Sequence, residues 1–128
     1  MINFTAEMDS LAELRYKDLL KQLEPDFGPG MDLQTLLFLM GVDILGTGFK
    51  KFTKDQKTDL MHIAICTILE PYGYYKFVGN DKDNWPHFEF VKELPALSIK
   101  EQQLLMLEAV LEYFENQGIS TKHVQLKN

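Results

Sequence analysis

Four stretches of the chain repeat apolar residues at the three- and four-residue intervals of an α-helix, and one stretch alternates them as a β-strand does. The helical stretches are predicted at about 6–24, 32–45, 54–70 and 99–117, and the alternating stretch at about 74–92. The pattern predicts a mainly α fold, a compact bundle of about four helices with an aromatic β-hairpin inserted between helices 3 and 4.

The third predicted helix is the one around which we expect the core to form. Thr53 and Gln56 have the spacing of a capping box, and Pro71 ends the helix because proline has no N–H to donate. A helix that is apolar on nearly all sides must be covered on several of them. The apolar positions are Leu60, Met61, Ile63, Ala64, Ile65, Ile68 and Leu69.

The first two helices differ in their exposure. The first begins near Thr5 or Ser10 and is expected to bury one stripe, and residues 24–30, with two prolines and two glycines, are predicted as a loop. The second ends at Gly46 and is apolar enough to be deeply buried or to contact another subunit. The stripe on the first helix consists of Met8, Leu11, Ala12, Tyr16, Leu19, Leu20 and Leu23.

The hairpin and the last helix complete the chain. Tyr74–Val78 and His87–Lys92 are predicted strands, joined by a turn at Gly79–Asn84. Two strands alone are marginal in water, so we expect their aromatic face to lie against the helices. That face carries Tyr75, Phe77, Phe88 and Phe90. The fourth helix is capped by Ser98 and Glu101 and ends at Gly118, and the polar tail at 119–128 is expected to fray.

Composition and charge narrow the class of protein. The 128 residues are predicted to form a single globular domain, 1–128, with 45% hydrophobic and 25% charged residues. The formal charge of −6 argues against nucleic-acid and anionic-membrane partners, which need basic patches. A single cysteine fits a reducing compartment, and we see neither a secretory signal nor an apolar run long enough for a membrane span. We expect a soluble cytoplasmic protein with no membrane partner.

The third helix has one polar strip with candidate chemistry. It comprises Asp55, Asp59, His62, Cys66 and Glu70. Asp59, His62 and Cys66 lie on one side of the helix and, with His87, have donor atoms that suit zinc. A Cys66–His62 or Cys66–His87 dyad is a second interpretation, because imidazole lowers the pKa of a thiol. We favour a third interpretation, in which the strip has only a structural role, as the side of the helix that contacts water or polar neighbours.

The high number of aromatic residues in and around the hairpin has two interpretations. The simpler one is a small second core, since aromatic side chains bury large areas. The functional one is an interaction surface, because Trp and Tyr are enriched where protein partners bind. Its candidate residues are Tyr72, Tyr74, Tyr75, Trp85 and His87.

No motif in the sequence is specific enough to name a reaction, and we predict no catalytic residue and no cofactor. The leading hypothesis is a small non-enzymatic interaction or regulatory protein that binds a protein partner or associates with itself as a homodimer. The alternative is a small ligand- or metal-binding protein, including a metal-assisted hydrolase, that uses the polar strip of the third helix.

Overall fold

The computed structural model of the chain describes residues 4–48 and 50–126, with side chains from residue 10 onward. These residues form four α-helices and two strands: α1 (Phe4–Phe27), α2 (Leu33–Leu45), α3 (Lys54–Leu69), β1 (Tyr75–Asn80), β2 (Pro86–Phe90) and α4 (Ile99–Asn116). The strands pair antiparallel, which confirms a mainly α fold with a hairpin between the third and fourth helices. The side chain of Met8 lies outside the described residues. No helix in the described ranges is long and apolar enough to cross a membrane.

The chain divides into two compact units. Both ends of the chain build the first unit, up to Pro29 and from Pro95 onward, and Gly30–Leu94 forms the second. A single domain with all four helices in one bundle stays a prediction.

The first unit pairs α1 with α4. Gly118 adopts a φ of +91°, and the N–H of Ile119 donates to the carbonyl of Phe114 at 2.9 Å. This left-handed ending satisfies a carbonyl of the last helical turn and confirms the predicted stop of α4. Buried apolar residues lie on both helices: Ala12, Leu19, Leu23, Ala109, Val110, Leu111 and Phe114.

A polar row on α1 binds the segment that follows α4. Arg15 Nε donates to Thr121 Oγ1 at 2.9 Å, and Gln22 Nε2 donates to the Ser120 carbonyl at 2.8 Å. Thr121 is only 2% exposed, so its hydroxyl needs this partner. These contacts attach the beginning of the polar tail to α1. Residues 127 and 128 of the tail that we expected to fray lie outside the described part.

The start of α1 agrees with the Thr5 alternative, whereas its end differs from the predicted one. The helix already includes Phe4, so Ser10 lies inside it and does not cap it. It also continues past Pro25 to Phe27, and the predicted loop start at residue 24 is wrong. Proline removes its own hydrogen bond and crowds the carbonyl four residues earlier, but neither effect stops the next turn from forming. That turn is closed by the N–H of Gly28, which donates to the Glu24 carbonyl at 2.8 Å.

The second unit is built on the packing of α2 against α3. The predicted capping box of α3 is confirmed, because Gln56 N–H donates to Thr53 Oγ1 at 3.1 Å and Thr53 N–H donates to Gln56 Oε1 at 2.9 Å. Pro71 lies in a 3₁₀ turn, Glu70–Tyr72, that follows the helix. One cluster in the core of the unit joins Val42, Leu45, Phe52, Leu60 and Ile63, with Phe38, Ile44, Trp85 and Phe88 packed against them.

The hairpin has the predicted aromatic face but a different turn. The ring centroids of Tyr75 and Phe90 are 5.9 Å apart, and those of Phe77 and Phe88 are 5.6 Å apart. The register shifts between Phe77 and Gly79, so β1 extends to Asn80 and the turn begins two residues later than predicted. The face lies against the helices in part: Tyr75 contacts His62 of α3 and Phe88 packs against the core, whereas Phe77 is 45% and Phe90 58% exposed.

Candidate functional site

A cleft of about 500 Å³ lies between α3 and the hairpin in the second unit. We call it the acidic cleft, because three carboxylates line it and none of its described lining residues is Lys or Arg. From α3 the lining takes Gln56, Asp59, His62 and Ile63, and from the hairpin Asp81, Asp83, Trp85, Pro86, His87 and Phe88.

Asp81 organises the hairpin side of the acidic cleft. Its Oδ1 accepts from the N–H groups of Asp83 at 2.9 Å and Trp85 at 3.0 Å, as Asp commonly does in turns. Its Oδ2 lies 2.9 Å from His87 Nε2. The hydrogen bond with His87, followed by that from Trp85, holds the pKa of the Asp81 carboxyl below its ordinary value of 3.8. One carboxylate therefore holds both the backbone of Trp85 and the imidazole of His87 at the cleft.

The α3 side of the cleft is set by helical spacing. Asp59 and His62 are separated by three residues, which places them on the same side of the helix, and both are exposed. The His62 and Tyr75 rings form a T-shaped pair, with centroids 6.0 Å apart and planes at 89°. This contact with β1 and a 3.4 Å approach of His62 Nε2 to Cys66 Sγ orient the imidazole.

Cys66 contacts His62 but lies outside the acidic cleft, which the other predicted ligands line. Its side chain is fully buried and does not line the acidic cleft. Burial raises the pKa of the Cys66 thiol to about 11, since a thiolate would lose its hydration there. A thiol in this state is neither a ready nucleophile nor a ready metal ligand at neutral pH.

The predicted polar strip of α3 therefore divides. Asp59 and His62 reach the acidic cleft, where they meet His87, and Asp55 does not line it. Glu70 instead accepts a hydrogen bond at Oε2 from the N–H of Phe77, 2.6 Å away. In the part of the chain that the structure describes, no three His, Cys, Asp or Glu side chains gather as a metal-binding group.

The predicted interaction residues also separate. Trp85 and His87 line the acidic cleft, whereas Tyr72, Tyr74 and Tyr75 are half-buried outside it. The Lys92 ammonium lies 5.1 Å from the centroid of the Tyr74 ring, a cation–π distance.

Sequence reasoning did not select Gln56, Asp81 and Asp83 as site residues. The Asp-rich run between the strands has the composition of an ordinary turn, and that is one of its roles. The second role, as a cleft wall, requires the turn to lie beside α3, whereas the sequence predicted only that the aromatic face of the hairpin lies against the helices.

Comparison of the chain with protein-family models, curated proteins and solved structures gives no significant match.

Proposed function

We propose that this protein is a non-enzymatic interaction protein whose acidic cleft binds a Lys or Arg side chain of a partner protein. One observation carries the proposal: Asp59, Asp81 and Asp83 line a single cleft together with Trp85, without a neighbouring Lys or Arg in the described lining.

The chemistry of the lining suits an organic cation. Carboxylates attract ammonium and guanidinium groups, and guanidinium forms paired hydrogen bonds with a carboxylate. An indole face adds cation–π attraction. A cleft of about 500 Å³ is within the ordinary range for small-ligand sites and holds one long side chain. The formal charge of −6 would speed the approach of a basic partner.

A basic group fits the observed geometry better than a metal ion does. Asp81 already uses Oδ1 for two backbone N–H groups and Oδ2 for His87. Binding a cation at Asp59 and Asp83 leaves that turn intact, because an ammonium or guanidinium donates hydrogen bonds without requiring a closed coordination shell.

Selection and titration test the proposal. A phage library of random dodecapeptides is selected against the whole protein, and the enriched peptides are synthesised. We expect them to contain Lys or Arg. Trp85 is the only tryptophan in the chain, so its fluorescence reports binding at the cleft directly.

Two variants on α3 locate the bound charge. Asp59→Asn removes a carboxylate from the cleft, and Asp55→Asn removes an exposed carboxylate one turn earlier, outside the cleft. We expect Asp59→Asn to weaken peptide binding roughly threefold to tenfold and Asp55→Asn to leave it nearly unchanged. Equal effects of the two variants, or enriched peptides without basic residues, would disprove the proposal.

Zinc is the competing ligand, because Asp59, His62 and His87 share the cleft. Native mass spectrometry of gently purified protein distinguishes the two. A stoichiometric zinc complex that His62→Ala abolishes would favour the metal-binding alternative.

Light scattering at micromolar protein concentration tests the other predicted interaction, self-association as a homodimer.

A further inference from the structure

The strand β2 contributes Pro86, His87 and Phe88 to the lining of the acidic cleft. We propose that the basic segment of the partner binds at the outer edge of this strand in an extended conformation, as a third strand paired with β2. This inference rests on the proposed function and specifies how the partner is held.

The ladder of the hairpin decides which backbone groups are available. The N–H of Val91 donates to the carbonyl of Tyr74 at 3.0 Å, so these two residues form a hydrogen-bonded pair. In an antiparallel ladder the pairs alternate, and the backbone groups of the intervening pairs point away from the partner strand. Phe90, opposite Tyr75, and Phe88, opposite Phe77, therefore direct their backbone groups toward the outer edge of β2.

The outer edge of β1 is already occupied at Phe77, in contrast to that of β2. Glu70 Oε2 accepts the outward N–H of Phe77 and occupies the position that an added strand would need. The sheet has two strands within the described residues, so no described strand pairs with the other side of β2. A free edge of this kind is a template for pairing with an extended segment.

Charge and exposure identify a suitable occupant for the β2 edge. The hairpin residues that line the acidic cleft come from the turn and from β2, so a strand added to β2 passes the cleft. Glu89 and Glu93 are exposed in and just beyond β2, but Lys76 opposes Glu89 and Lys92 precedes Glu93, so the excess negative charge lies at the cleft itself. Phe90 is 58% and Val91 54% exposed, which gives an added strand apolar contact area.

The occupant that fits is therefore a partner segment with a Lys or Arg and with β-branched or apolar residues near it. Successive side chains of a strand point to opposite faces, so the residues that share the face of the basic one recur at every second position. A second copy of β2 fits less well, because Pro86–Phe90 contains neither Lys nor Arg to enter the acidic cleft.

Amide hydrogen exchange on the whole protein, with and without a saturating cleft-binding peptide from the selection, tests the pairing. We expect exchange at the N–H groups of Phe88 and Phe90 to slow at least tenfold when the peptide binds. Glu89 and Val91 already donate within the hairpin ladder and serve as internal controls, with little change.

Single N-methylation along the same peptide is the second measurement, and it leaves the protein unaltered. A paired strand uses every second N–H, so affinity should fall at alternate peptide positions and stay nearly constant between them. Binding that changes Trp85 fluorescence but gives neither this alternation nor slower exchange at Phe88 and Phe90 overturns strand addition, and the proposed function stands.

Two other outcomes also overturn the inference. Absence of any binding peptide with Lys or Arg removes the proposed function together with strand addition. The second is measured without peptide. If exchange at Phe88 and Phe90 becomes slower as the protein concentration rises, the edge pairs with a second copy of the chain.

Discussion

Gly41 of α2 and Leu60 of α3 are in direct backbone contact. A Cβ atom on Gly41 would lie 2.6 Å from the carbonyl carbon of Leu60 and would overlap the carbonyl oxygen. Because this neighbour is helical backbone, it cannot move aside as the end of a flexible side chain can. The contact makes glycine a requirement for the observed spacing of the two helices in the second unit.

We expect Gly41→Ala to lower the free energy of unfolding by about 1–3 kcal/mol, through overpacking. In an exposed helix the same substitution stabilises by roughly 1 kcal/mol, so the sign of the effect is informative. Urea unfolding measures it, with Gln34→Ala at an exposed position of α2 as the control. A stabilised Gly41→Ala variant would contradict the close contact.

Burial along α3 predicts unequal costs for two isoleucines. Ile68 is 2% exposed, whereas Ile65 is half-buried. Ile68→Ala should cost about 2–5 kcal/mol of unfolding free energy by leaving a cavity, and Ile65→Ala clearly less. Urea melts of the two variants test the order. Equal losses would mean that the two side chains are buried alike.

Cys66 should be slow to react with iodoacetamide in the folded protein. Its pKa of about 11 leaves roughly one thiol in ten thousand ionised at pH 7, and its burial blocks access. Mass spectrometry follows the labelling, with the same chain in urea as the fast control. Rapid labelling of the folded chain would show an exposed or activated thiol and revive the dyad interpretation.

Acid should weaken the turn that Asp81 organises. The Asp81 pKa is lower in the folded chain than its ordinary value of 3.8, so the carboxylate stabilises the fold above that pH. This stabilisation is lost as the pH falls from about 4 through the lower, folded pKa. Urea unfolding followed by Trp85 fluorescence between pH 6 and pH 2 measures the loss.

Asp81→Asn should flatten that pH dependence, because the amide does not ionise. Asp43→Asn, at an exposed position on α2, is the control. If both variants keep the pH dependence of the unaltered chain, the Asp81 turn is not its source.

The sequence by itself determined the local elements. Capping pairs such as Thr53–Gln56 and stop residues such as Gly118 act within a few positions along the chain, so their pattern predicts where helices begin and end. The alternation of aromatic residues likewise predicted which rings share a face of the hairpin. Local rules failed at Pro25, where a further helical turn follows the proline.

Only the tertiary structure decided which of these residues act together. Helical spacing put Asp59, His62 and Cys66 on one side of α3, but packing buried Cys66 and left the other two at the cleft. Asp81 and His87 join them because the hairpin lies over α3, and Gly41 is needed because α2 approaches so closely. Periodicity fixes the direction of a side chain relative to its own element, whereas the element that covers it is set by contacts between residues far apart in the chain.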